Sequence, residues 1–172
     1  MASGEEMLVD YILTGNRDLN PYISKLTDYL KTYLVVGGMP AAVLSYSESK
    51  NTNKVREIQR QILSDYEQDF SKHAPYNEVP RIRMVWNSIP SQLAKENKKF
   101  IYGAIKKGAR ASSFEIAIQW LIDAGLIYKV NRVNDVKIPL KFYEDMNAFK
   151  LFILDLGLMG AMVEAPSEAV LI

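Results

Sequence analysis

The sequence predicts a mainly α protein with a small β component (α+β): a helical bundle, then a winged helix-turn-helix with a small β-hairpin. Three observations carry this. Apolar residues recur at helical spacing through the first half, and further helical segments follow from Ile82. After Gly125 the apolar pattern changes from a period of 3.6 to a period of two. The chain has 172 residues, 48% hydrophobic and 24% charged, which is ordinary for a globular protein. A chain of that length buries roughly 70% of its unfolded surface, enough for one domain or two small ones.

Each element follows from local chemistry. Glu5 to Leu13 reads as a short amphipathic helix ended by the turn residues Thr14-Gly15-Asn16. Pro21 suits a first helical position, and Ile23, Leu26, Leu30 and Leu34 follow on one face. In YLVVGGMPAAV, Gly37-Gly38 stops that helix and Pro40 begins the next. Asn51-Thr52-Asn53 caps a long helix through Val55, Ile58, Ile62, Tyr66 and Phe70, which Pro75 closes after His73. Ile82, Val85, Trp86 and Ile89 mark a helix that Pro90 is expected to interrupt or restart. Ser112 and Glu115 have capping-box spacing before a helix that ends at Gly125. Phe114, Ala117, Ile118 and Leu121 form one apolar stripe of it, and Ile116 with Trp120 a second, so it should be well buried. Leu126 to Val133 alternates as a strand, and two strand-like pieces, LKFYED and KLFILD, follow the turn at Asn134-Asp135.

Composition excludes several classes. There is no cysteine, hence no disulfide, thiol chemistry or Cys-type zinc site. No apolar run reaches the roughly 18 residues of a membrane span, and MASGEEMLVDY is acidic where a signal peptide is basic. No membrane is expected as a partner, and the cytoplasm is the expected compartment. The net charge of +1 hides an uneven distribution. Residues 81–110 hold Arg81, Arg83, Lys95, Lys98, Lys99, Lys106, Lys107 and Arg110 against one acid, Glu96. Such a block points to a local anionic partner, or else to a lysine-rich solvated face.

No catalytic or metal site emerges. A phosphate-binding P-loop needs a lysine and a hydroxyl after its second glycine. Ala109-Arg110 follow Gly108, and Met39-Pro40 follow Gly38, so the chain has no Walker motif and is not expected to act as an enzyme alone. Asp65, Asp69 and His73 recur every four residues, but the lone histidine and the lack of a fourth ligand favour a solvated helix face. DNA binding is better supported. Arg81, Arg83, Lys98, Lys99, Lys106, Lys107, Arg110 and Ser112 are the candidate phosphate contacts, gathered before a helix whose free N-terminal amides also favour an anion. Glu115, Gln119 and Asp123 on the polar face of that helix oppose base reading in a groove. The alternative is an adaptor that uses the winged helix for protein contacts or dimerisation.

The runs YLVVGGMPAAV, ILSDYEQDF, IPSQLAKENKKFIYGAIKKGARASSFEIAIQWLIDAGLIYKV, PLKFYED and FKLFILDLGLMGAM resemble a large prokaryotic family of AAA+, STAND-like ATP-binding proteins. In that family a P-loop ATPase core precedes a helical lid, a winged helix and a nuclease-like domain of unknown function. The likeness runs from about Glu5 to Met162 and implies a lid over residues 1–75, a winged helix over 76–162, and the beginning of a following domain in 163–172. It implies that the ATPase core and nuclease-like domain belong to a longer parent, which would bind ATP and magnesium; this chain itself is expected to hold no cofactor. It also implies that Gly38 and Pro40, as the lid's Gly-x-Pro, contact the adenine ring. A Gly-Gly-x-Pro helix break needs no ligand, so both readings stand at this point. The oligomeric state is left open.

Overall fold

The computed structural model describes residues 6–15, 22–95 and 99–167. The fold is mainly helical with a two-stranded antiparallel sheet. Helices α1 (Glu6–Leu13), α2 (Ile23–Val36), α3 (Pro40–Ser49) and α4 (Thr52–His73) make up the first half. Helices α5 (Val79–Leu93), α6 (Tyr102–Ile105) and α7 (Glu115–Asp123) follow, then strands β1 (Ile127–Val133) and β2 (Glu144–Ile153), then helix α8 (Leu156–Met162). The order α5, α6, α7, β1, β2 is that of a winged helix-turn-helix, and a backbone bond from Phe100 N–H to Phe149 O (2.6 Å) adds one rung at the edge of β2. No helix among the described residues is long and apolar enough to cross a membrane.

Local signals place most boundaries. Gly37 ends α2 at φ 72°, and Pro40 opens α3. The Asn51 side chain accepts from the amides of Asn53 and Lys54 (2.9 and 3.3 Å) and so caps α4. At the end of α7, Leu126 N–H reaches Leu121 O and Gly125 N–H reaches Ile122 O, the paired bonds of a Schellman turn. The expected start at Pro21 lies outside the described residues.

Four expectations are corrected. Pro90 neither breaks nor restarts a helix; it is buried inside α5, and the ladder resumes with Ala94 N–H to Pro90 O at 2.9 Å. The helix tolerates the lost Pro90 bond because Trp86 and Ile89 beside it are packed in the core and Pro90 itself is buried. Ser112 does not cap α7: it sits in a 3-10 turn, Ala111–Ser113, and Phe114 takes the cap position with no side-chain bond. Bonds from Ser113 N–H to Arg110 O and Phe114 N–H to Ala111 O satisfy that turn without the hydroxyl. LKFYED and KLFILD are not separate strands; Leu140–Tyr143 is a 3-10 turn, and Glu144 to Ile153 runs as one strand. Finally, Ile116 is exposed, so α7 buries one stripe and only part of the second.

The core runs across residue 75. Phe70 of α4 meets Trp86 of α5 edge-on at 5.8 Å and the half-buried Trp120 of α7 at 5.6 Å. Leu121, Leu151 and Leu158 extend the same cluster through α7, β2 and α8. A smaller cluster of Val36, Ala42 and Val55 joins α2, α3 and α4. Helix α8 closes the structure by packing against α2 and α4, so the last described helix returns to the first half of the chain. Strand register runs from Ile127↔Ile153 to Asn131↔Phe149 and is then broken by a bulge before Arg132↔Asp145.

Candidate functional site

The glycine pair of YLVVGGMPAAV sits where α2, α3, α4 and α8 meet. Gly37 N–H bonds back to Tyr33 O at 2.8 Å, and Gly38 N–H donates to Asp155 Oδ2 at 2.6 Å. Asp155 is buried, and its other oxygen accepts from Leu158 N–H at 2.8 Å, capping α8. One carboxylate thus holds the α2–α3 break and the start of α8 together. Both glycine amides are already committed, and one faces a negative charge, so this loop offers a phosphate nothing.

A buried polar network supports that junction. Gln59 of α4 donates to Val35 O and Val36 O (3.0 and 2.9 Å), satisfying carbonyls that the end of α2 leaves without helical partners. Its side-chain oxygen accepts from Arg56 Nη1 at 2.9 Å, and Arg56 also donates to Gly157 O (3.2 Å) and Ala165 O (3.1 Å). Burial lowers the Arg56 pKa from its ordinary value; the nearby Arg60 charge lowers it further and Glu164 opposes both. Burial, then the charge of Asp155, raises the Tyr66 hydroxyl above the usual tyrosine value. Arg60 and Glu164 form an exposed ion pair over the same edge, which holds the Glu164 carboxyl below the usual range. Gly157 is the tight point: a Cβ there would lie 2.6 Å from Val36 O and against Gln59 Nε2.

Gly38 and Pro40 lie at the exposed rim of this junction, with Met39 between them packed into both cores. Sequence reasoning offers Asp155 only as a weak carboxylate partner for Glu144-Asp145; the structure gives it two backbone donors, Gly38 N–H and Leu158 N–H. Its capping role was readable, because an Asp precedes the apolar run of α8. Its bond to Gly38, 117 residues away, was not.

The basic block is divided by the fold. Arg81, Lys106 and Lys107 line one groove of about 470 Å³ between the start of α5 and the turn from α6 to α7. Lys106, Lys107, Arg110 and Ser112 are exposed on that turn, while Arg81 is held at 2.5 Å by the buried Glu78. Arg83 is turned to α4, donating to Glu67 O (3.2 Å) and Ser71 Oγ (3.1 Å). Lys99 lines a separate narrow cleft with Lys150. Lys98 lies outside the described residues.

The outer face of α7 presents Glu115, Ile116, Gln119 and Asp123, with Gln119 bonded to Asp123 at 2.7 Å. A groove of about 380 Å³ separates this face from the sheet, where Lys129 Nζ stands 4.4 Å from the Phe149 ring centre. Tyr102 lines the groove, and burial followed by the Glu115 charge raises its hydroxyl. On α4, Asp65 accepts from Gln61 at 2.8 Å and Asp69 pairs with Lys72 at 3.4 Å, so both carboxylates engage neighbours on their own helix.

No curated protein and no solved structure matches the chain. The model of one family, described as a domain of unknown function (DUF8612), matches residues 27–169, from within α2 to beyond α8. The chain therefore belongs to the DUF8612 family.

Proposed function

We propose that this chain is a non-catalytic coupling module of a larger AAA+ ATP-binding protein. Its first half acts as a lid whose orientation follows the nucleotide, and its winged helix, carried with the lid, binds DNA through phosphate. The observation that carries this reading is Asp155: one buried carboxylate joins the lid break at Gly38 to α8, which leaves the wing strand β2 directly. A lid fastened in this way moves the winged helix as a body. In the parent, Pro40 would offer its exposed ring to the adenine, and the parent's ATPase core would hold the phosphates and magnesium.

The DNA part rests on Lys106, Lys107 and Arg110, with Arg81, paired to Glu78, at the edge of the same groove. Over residues 79–153 the chain has thirteen Lys/Arg against six Asp/Glu. The acidic face of α7 argues for backbone contact without base reading. Expected affinity for generic duplex is in the range of roughly 1–100 µM at physiological salt, falling steeply as salt rises. Lys106→Glu/Lys107→Glu/Arg110→Glu should make the log–log salt slope shallower by about 3. All three side chains are exposed, so the fold should survive, and circular dichroism checks it. Anisotropy titration from low to high salt measures the slope.

A second reading has its own observation. Tyr128, Val130 and Phe152 stand exposed on the outer sheet face, and Ile116 on α7, as on a protein-binding adaptor. Binding of a partner that ignores both salt and the charge-reversed variant would favour it.

A further inference from the structure

The wing carries a surface that the phosphate contacts leave unused. Between β1 and β2 the chain reads VKIPLKF over residues 136–142. Val136 is 85%, Ile138 95% and Phe142 81% exposed, and Leu140 stands half in water beside them. Lys137 and Lys141 alternate with these apolar side chains. Large apolar groups left in water at the tip of a hairpin add nothing to the core, and such patches mark contact surfaces.

We propose that this loop is a wedge: Ile138 and Phe142 insert between base steps of a duplex already held by the cations of the α6–α7 turn. The inference rests on the DNA reading above and deepens it. Proteins that kink DNA use apolar side chains of this kind, flanked by cations that hold the backbone on either side of the opened step. The wing has that composition. Its acids are engaged within the hairpin: Asp135 pairs with Lys137 at 2.6 Å, Asp145 with Arg132 at 2.7 Å, and Glu144 accepts from Asn131 at 2.8 Å. Lys141 makes no ion pair among the described residues and remains to meet phosphate. An anionic lipid surface would also accept an apolar tip beside lysines. DNA is favoured because the wing follows α7 directly in the chain and carries lysines of its own, Lys137 and Lys141, beside its apolar tip.

The test uses the full chain and a duplex with donor and acceptor dyes at its ends and a flexible TA step at its centre. Wild type should raise energy transfer on binding, reporting a bend within the roughly 20–90° range that apolar wedges produce. Ile138→Ser/Phe142→Ser should bind with the same salt slope and leave the duplex straight. Its melting curve should be unchanged, because both side chains are in water. Equal bending by wild type and variant overturns the proposal, and so does salt-dependent binding by wild type without a bend. If the double variant loses binding to phosphatidylserine–phosphatidylcholine vesicles while DNA bending is unaffected, the wedge is overturned in favour of a lipid contact. Salt-dependent binding without a bend refutes the wedge alone; loss of salt-dependent binding refutes the DNA function as well.

Discussion

Asp155→Ala should lower stability by about 3 kcal/mol, combining a lost helix cap of roughly 1 with a lost charge-assisted bond of roughly 2. For a chain of this size that is a fall in melting temperature of about 6–12 °C. The size follows from what one side chain does. Asp155 satisfies Leu158 N–H at the start of α8 and Gly38 N–H at the break between α2 and α3, and it is buried while doing so. Removing it leaves both donors without a partner at the point where α8 packs against the first half of the chain. Asp155→Asn should recover about 1 kcal/mol, because its amide oxygen can still cap α8 while its nitrogen cannot accept from Gly38. Thermal melts of the three proteins measure this order.

Gly157→Ala should cost about as much, roughly 3 kcal/mol, for a steric reason. The new methyl would lie 2.6 Å from Val36 O and 2.8 Å from Val36 C, which are main-chain atoms and do not swing aside. It would also press on Gln59 Nε2, the donor to Val35 O and Val36 O. Overpacking of this kind costs about 1–3 kcal/mol, and displacing Gln59 adds the penalty of buried carbonyls without donors. Gly103→Ala is the control: nothing lies within 4 Å of its added methyl and it sits in α6, so it should be neutral or stabilise by about 0.5–1 kcal/mol. Equilibrium urea unfolding of both variants measures the difference.

Much of the fold was legible because its signals are local. Gly37, Pro40, Asn51 and Gly125 each act on backbone within four residues, and each stands where its chemistry predicts. The misreadings share a cause in tertiary packing. Pro90 remains in a helix because its neighbours are buried on the core side, and Ser112 loses its capping place because the buried Phe114 occupies it. Periodicity read Ile116 as buried, but the groove beside α7 leaves it in water. The site divides in the same way. The cationic block was visible as charge, yet only the fold separates Arg83, turned to α4, from Lys106 and Lys107 on the open groove. Most remote of all was the bond from Asp155 to Gly38. A capping aspartate is readable, but the second donor it takes is set by how α8 returns to the α2–α3 break.

The most direct test of coupling is native-state hydrogen exchange on wild type and Asp155→Ala. If the proposed lid and the winged helix move as one body, the amides of Gly38, of α3 and of α8 should open in the same cooperative unit as those of α5 and α7. In Asp155→Ala the α3 and α8 amides should then drop out of that unit together, leaving α5 and α7 protected. Opening of α2 and α3 at much lower free energy than α5 in the wild type, unchanged by the substitution, would contradict the coupling and leave the winged helix independent of the lid.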